Sequence, residues 1–341
     1  MTAAAPTEIA QSTPTGGAIA RQVMEHYALG EVTHCVLVRH GFNQVYELHF
    51  ADGLRAVARL CAERPRGAPN TAYETAMLRH LKAAGAGVAA PLMARGGSTC
   101  VAMPLPEGPR DLVLFEYLDG QGPGESVPDT EATGRGLALL HELAQGYAGP
   151  PSRYRLDLQH LLHAPLEWLC AAPTMDGALR AGYTALAGRL AERITALLPQ
   201  LARVACHGDC HGGNNFVTDG PDGPGGTRVA SFFDFDDAGP GLLAYDLCVY
   251  LWNTLPRKAG SVLDEAGLTR WQRYIAGYRS VRPLAPADFE AITRFLPVRQ
   301  IWLMGEFAGR IPVWGTQAIP SVYLRKQLEI MEYWESMPTP E

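Results

Sequence analysis

Residues Cys206-His207-Gly208-Asp209-Cys210-His211-Gly212-Gly213-Asn214-Asn215-Phe216 (CHGDCHGGNNF) decide how this chain is read. They set an aspartate and, five residues on, an asparagine on a tight glycine-bearing loop between strand-like runs at 202–206 and 215–218. Twenty residues after Asn214, an apolar run at 228–235 delivers Asp234, with Phe235, Asp236 and Asp237 behind it. Carboxylate, carboxamide and carboxylate are hard oxygen ligands that suit Mg²⁺, which takes one or two protein groups plus substrate phosphates. A further carboxylate, free of metal, can orient and deprotonate a hydroxyl. Together they form the layout of phosphoryl transfer. Cys206, His207, Cys210 and His211 have the composition of a zinc set. However, C-x3-C with interleaved His is not a zinc spacing, and no second Cys pair follows.

Outward from this stretch, the chain divides by character. Strand-like runs at 32–38, 44–50 and 54–61 come first, the last two joined by the turn Ala51-Asp52-Gly53. A helical pattern at 71–84 ends at Gly85 and Gly87, and strands at 100–103 and 112–117 follow. This first third reads β-β-β-α-β-β. A Gly/Pro linker at 120–128 leads into helical patterns at 130–145, 158–170, 178–198, 269–278, 286–309 and 321–336. Only the region around CHGDCHGGNNF interrupts them with strands, and the glycine-rich segment 219–227 reads as an exposed hairpin tip. The expected fold class is α+β: a small β-rich lobe and a larger helical lobe, with ligands in the cleft between them.

Composition narrows the function classes. The 341 residues are 47% hydrophobic and 19% charged, enough apolar material for a substantial core. Lys plus Arg number 29 against 35 Asp plus Glu, a net charge of −6, which argues against general nucleic-acid binding and against docking on an anionic membrane. No run is long and apolar enough to span a bilayer, and the N-terminus has no secretory pattern. Seven scattered cysteines fit reduced thiols, so the expected localisation is cytoplasmic.

The order His-x-Asp-x-x-x-x-Asn, then a strand, then Asp-Phe-x, matches the protein-kinase signature. His207-Gly208-Asp209-Cys210-His211-Gly212-Gly213-Asn214 resembles the HGDxHxxN motif of the aminoglycoside phosphotransferase, choline kinase and homoserine kinase superfamily. Phe233-Asp234-Phe235-Asp236-Asp237-Ala238 resembles its second motif, most closely in the stress response kinase A and homoserine kinase branch. The resemblance covers residues 25–335 and implies a two-lobed, protein-kinase-like fold that uses ATP and Mg²⁺. By position it makes Asp209 the catalytic base and Asn214 and Asp234 the Mg²⁺ ligands. His207 would brace the loop, and Asp246 would be the buried carboxylate that steadies it.

The same template extends to the first lobe. Gly41-Phe42-Asn43-Gln44-Val45-Tyr46 resembles the nucleotide loop, one residue shorter than the family's, which places Asn43 at the cofactor. Arg59 falls where many members carry Lys; the alternative is a surface strand arginine. Glu74 is its expected partner. Leu114-Phe115-Glu116-Tyr117-Leu118 resembles the hinge, with the backbone of Glu116 and Leu118 reading adenine.

The expectation is therefore an ATP-dependent phosphotransferase acting on a small-molecule hydroxyl, an amino alcohol or homoserine-like metabolite. The alternatives are a Ser/Thr protein kinase and a non-catalytic nucleotide-binding protein. The expected organisation is a flexible tail over 1–18, a nucleotide-binding lobe over 19–118 and a catalytic, acceptor-binding lobe over 119–341. Candidate acceptor residues are His211, Asp236, Asp237, Trp302 and Glu306. Trp302 and Glu306 are four apart on a helical pattern and share a face, where an indole and a carboxylate suit an amine. The alternative reading puts Trp302 in the core and Glu306 in solvent, and Asp236 and Asp237 in a turn.

Overall fold

The computed structural model describes residues 7–223 and 225–341. The first lobe contains α1 (Gly16–His26), β1 (Val32–His40), β2 (Gln44–Phe50), β3 (Arg55–Leu60), α2 (Thr71–Ala83), β4 (Val101–Met103) and β5 (Arg110–Glu116). The strands form one antiparallel sheet in the order β1-β2-β3-β5-β4. The period of two in β2 explains how this sheet serves both core and site. Gln44, Tyr46, Leu48 and Phe50 point inward, and Tyr46 and Leu48 are fully buried against Ile19 and Val23 of α1 and Leu112 and Leu114 of β5. Burying each such side chain contributes about 1.5–3 kcal/mol. The alternate residues, Val45 and Glu47, line the cleft toward the second lobe.

The second lobe runs α3 (Val127–Leu143), a wide π-type turn (Gln159–His163), α4 (Ala164–Ala171), α5 (Gly177–Leu197), β6 (Arg203–Cys206), β7 (Asn215–Asp219), β8 (Arg228–Phe232), β9 (Gly239–Leu242), α6 (Leu243–Thr254), α7 (Glu265–Arg279), α8 (Pro286–Ala291), α9 (Leu296–Ala308), α10 (Ile311–Trp314) and α11 (Ser321–Glu335). β6 pairs with β9 and β7 with β8, and these two ribbons carry the CHGDCHGGNNF and Asp234 segments. α3 and α7 lie backbone to backbone, because a Cβ on Gly134 would overlap the Tyr274 carbonyl and one on Gly277 the Glu131 carbonyl.

Three expectations are corrected. The tail over 1–18 is tied down in its second half: Ser12 bonds Glu107, the Pro14 carbonyl accepts from Tyr46 Oη at 2.7 Å, and α1 starts at Gly16. Residues 1–6 lie outside the described residues. The single helix over 286–309 is two, α8 and α9, with a 3₁₀ turn at Ile292–Phe295 and Pro297 in the first turn of α9. The strands and helices expected also omitted α1, β9, α6 and α10. The 219–227 segment joins β7 to β8, with Asp219 paired to Arg228; Pro224 within it lies outside the described residues. No described helix is long and apolar enough to cross a membrane.

Candidate active site

The loop between β6 and β7 turns through Gly208 and Gly212, at φ 85° and 77°, a region glycine enters without a Cβ penalty. Asp246 in the first turn of α6 is fully buried and anchors it, accepting the amides of His207 and Gly208, each at 2.8 Å. His141 Nε2 donates to the same carboxylate at 2.9 Å, and its Nδ1 accepts from Tyr278 Oη at 2.8 Å. Burial works against the Asp246 charge, but the His141 bond, the nearby histidines and the Gly208 amide outweigh it and hold the carboxyl below its ordinary range. His207 Nε2 donates to the Phe233 carbonyl at 3.1 Å, so the loop is also tied to the segment bearing Asp234.

On this frame Asp209, Asn214 and Asp234 converge. Asn214 Nδ2 donates to the Asp209 carbonyl at 2.9 Å and to its Oδ2 at 3.1 Å. Asn214 is buried, and its Oδ1 accepts no hydrogen bond. Asp234 is the one non-glycine residue at positive φ (65°) among the described residues, a backbone strain that the surrounding structure must hold. Burial and the charge of Asp236 raise its carboxyl, and Arg59 Nη1 at 3.4 Å offsets this only in part. A buried amide oxygen without a partner and a carboxylate short of positive charge, on segments joined by the Phe233 amide to the Asn214 carbonyl at 3.0 Å, fit Mg²⁺. Among the described residues, no group of three His, Cys, Asp or Glu makes a closed protein-only metal site.

Arg59 on β3 and Glu74 on α2 form a bidentate ion pair, one bond at 2.8 Å, with both side chains buried. Burial alone would lower the Arg59 guanidinium, and the Glu74 carboxylate outweighs it. Arg59 is therefore not a surface residue. Asn43 bonds within the protein: Nδ2 donates to Asp236 at 2.6 Å and Oδ1 accepts the Ala62 amide at 3.1 Å. Its side chain shapes the loop and is engaged within the protein. Glu116 donates its amide to the Ala90 carbonyl at 2.9 Å and accepts from Lys82 Nζ at 2.6 Å.

Two cavities meet at Asp234. One of about 300 Å³ lies between sheet and second lobe, with Val45, Val57, Phe115, Leu118 and Phe233 on its walls and Arg59 and Glu116 at its edge. The other, about 540 Å³, is lined by Asp209, His211, Arg299, Trp302, Phe42 and Trp314, among others. Of the acceptor candidates, His211, Asp236, Asp237 and Trp302 reach this second cavity. Glu306 does not; it faces neither cavity nor solvent, and it lies 3.9 Å from Arg64 Nη1 without a hydrogen bond. Trp302 and Glu306 therefore form no open acceptor wall.

Asp236 and Asp237 are not free for an amine either. Arg64 bonds both and Arg66 bonds Asp237, and these guanidiniums hold the Asp237 carboxyl low against its burial. Guanidiniums also cover the aromatic faces: Arg299 over Trp302 at 4.3 Å, Arg64 over Phe42 at 4.4 Å and Arg310 over Trp314 at 5.3 Å. Arg64, Arg66 and Arg299 were not among the residues singled out in the sequence. Nothing local marks them, since their partners lie 90 to 173 residues away.

The chain matches the family model described as phosphotransferase enzyme family over residues 34–284. An uncharacterized protein of Deinococcus radiodurans is 34% identical over 318 residues, covering 93% of this chain and 89% of its own. A homoserine kinase of Gluconacetobacter diazotrophicus is 32% identical over 205 residues, 56% of this chain and 58% of its own. The solved structure of a microcompartment-associated aminopropanol kinase superposes with a TM-score of 0.71 at 23% identity, over 95% of this chain and 99% of that one. The sheet-and-helix architecture is thus the two-lobed protein-kinase-like fold, and the chain belongs to the APH phosphotransferase family.

Proposed function

We propose that this chain is an ATP-dependent phosphotransferase that moves the γ-phosphate of ATP to the hydroxyl of a small molecule. The observation that carries this is that Asp209 and Asp234 both line the second cavity, with Asn214 bonded to Asp209 and its backbone carbonyl accepting the amide of Phe233, next to Asp234. We assign residues 19–118 to nucleotide binding and 119–341 to catalysis and the acceptor. Adenine enters the apolar slot between Val57 and Phe233, against the Glu116 carbonyl and the Leu118 amide. Arg59, fixed by Glu74, meets the phosphates as a planar two-pronged donor. Asn214 and Asp234 hold Mg²⁺, which neutralises phosphate charge when bound. Asp209 accepts the proton of the acceptor hydroxyl.

Aromatic contact between the two lobes along one wall of the second cavity favours a small acceptor over a protein substrate. Phe42 of the first lobe packs on Trp314 and Phe307 of the second, with ring centroids 4.9 and 5.6 Å apart, so aromatic rings bridge the lobes on this side of the cavity. A simple cationic amino alcohol finds its aromatic faces and spare carboxylates already taken by arginine. A homoserine-like zwitterion, whose carboxylate meets the cation Arg39 on the cavity wall, fits better. The test is thermal shift with Mg-ATP together with ADP release across a panel of homoserine, amino alcohols and polyols. Stabilisation plus acceptor-dependent ADP release supports the proposal. Stabilisation without turnover for any acceptor would leave a nucleotide-binding protein. Asp234→Ala should weaken Mg-ATP far more than metal-free ATP; equal weakening would mean a structural role.

A further inference from the structure

We infer that Arg299 is the positioning residue of the catalytic base, fixing the Asp209 carboxylate from helix α9; this rests on the phosphotransferase reading above. The loop 207–214 contains no lysine or arginine, so the cation that bonds Asp209 Oδ1 comes from elsewhere in the chain. The pair is asymmetric. The Arg299 side chain is 2% exposed and the Asp209 side chain 19%. Arg299 is the fixed partner, and Asp209 is the one that faces the cavity.

What fixes the guanidinium is equally specific. It lies over the indole of Trp302 at 4.3 Å and that of Trp252 at 5.0 Å. Trp252 is itself held, its Nε1 donating to Gln300 Oε1 at 2.9 Å, while Gln300 Nε2 donates to Tyr323 Oη at 3.1 Å. With Oδ1 bound by Arg299 and Oδ2 taking the Asn214 amide at 3.1 Å, the carboxylate plane cannot rotate. One lone pair of Oδ2 is left for the cavity. A buried arginine held only for stability is a poor choice, since apolar residues of similar volume usually do as well or better.

In the step itself, the acceptor O–H bond breaks and its proton passes to Asp209 Oδ2. The acceptor oxygen bonds the γ-phosphorus, and the bond to the β–γ bridging oxygen breaks with its electron pair leaving on ADP. Arg299 keeps its protons throughout. The transition state is loose, with little covalent work for the base, so the orientation of Asp209 counts for more than its strength.

The test compares wild type, Arg299→Met, Arg299→Lys and Asp209→Asn, and combines Arg299→Met with Asp209→Asn. Each is assayed for Mg-ATP thermal shift and for ADP release with the best acceptor, or for acceptor-free ATP hydrolysis if none is found. Arg299→Met should lower turnover about 100-fold, as expected for a misplaced reacting group, while the Mg-ATP thermal shift stays within about two-fold. Arg299→Lys should fall between. In the Asp209→Asn background the Met change should cost less than about three-fold, because its target is gone. Turnover of Arg299→Met near wild type overturns the inference, as does an equal loss in both backgrounds, or a parallel loss of Mg-ATP binding. If the Met variant does not fold, Arg299→Lys and Arg299→Gln carry the same comparison. Wild type that binds Mg-ATP but never turns it over overturns the phosphotransferase reading and this inference with it.

Discussion

Asp246→Asn is the substitution whose consequences follow most directly from the geometry. The wild-type carboxylate accepts three hydrogen bonds in a fully buried setting, from the His207 and Gly208 amides and from His141. Asparagine keeps one acceptor oxygen and turns a donor toward the remaining N–H groups. One charge-assisted bond is lost, about 1.5–3 kcal/mol, and one buried donor is left unpaired, about 1–3 kcal/mol. The two sum to about 2.5–6 kcal/mol, and the middle of that range, about 3–5 kcal/mol, is the cost of breaking a buried pair from one side. At about 2.1 cal/mol/K of unfolding entropy per residue, a chain of this length loses about 4–7 °C in Tm. The loop loses its anchor at the residue next to Asp209, so turnover should fall about 100-fold.

The pH dependence has a definite sign. The folded Asp246 carboxyl is held below its ordinary range, so its contribution is present above the unfolded value of about 3.9 and disappears as pH falls through the folded value. The variant should therefore melt well below wild type at pH 7.5, and the gap should narrow on acidification. Melting curves at several pH values and a turnover assay at pH 7.5 make the measurement. An Asp246→Asn protein that melts within 1 °C of wild type at pH 7.5 and retains its turnover would refute the reasoning about the anchor.

Three further outcomes are expected. Gly134→Ala drives a methyl into the Tyr274 carbonyl, so α3 and α7 must separate; overpacking of this kind costs about 1–3 kcal/mol, and an unchanged Tm would refute the close approach. Burial raises the Glu306 carboxyl despite Arg66 and Arg64, so its ionisation destabilises the fold as pH climbs above the unfolded value of about 4.3. Glu306→Gln should thus raise Tm at pH 8 and leave it unchanged at pH 4, and the opposite ordering would contradict this. Replacing residues 220–227 with Asn-Gly keeps the Asp219–Arg228 pairing and should leave turnover within about two-fold; a tenfold loss would show that the tip covers the acceptor.

How much of this was legible in the sequence depended on whether the signal was local. That Asp209, Asn214 and Asp234 come together was legible because they sit at fixed spacing along one short loop and the end of one strand, a motif written locally in the chain. β2 was legible because one face is buried and the other lines the cleft, which writes an alternating pattern. α6 was not, because Leu243 to Trp252 are buried on every side and such a helix carries no polar stripe. β9 reads Gly-Pro-Gly-Leu, a poor strand former that exists only through its pairing with β6. Pro297 marked the break in the 286–309 pattern, yet proline in a first turn is compatible with a new helix and with a longer one kinked there. Arg299 and Arg64 look like surface residues in the chain. Only the fold brings each to carboxylates 90 or more residues away.

The central claim, that Asp209 is the base of an Mg-ATP phosphotransferase, is tested most directly by Asp209→Asn. The amide oxygen can still accept from Arg299, so the fold and the Mg-ATP thermal shift should be preserved within a few degrees. Turnover should fall by two orders of magnitude or more, because the base and its charge are removed together. An Asp209→Asn protein that binds Mg-ATP and turns over at close to the wild-type rate would contradict the account.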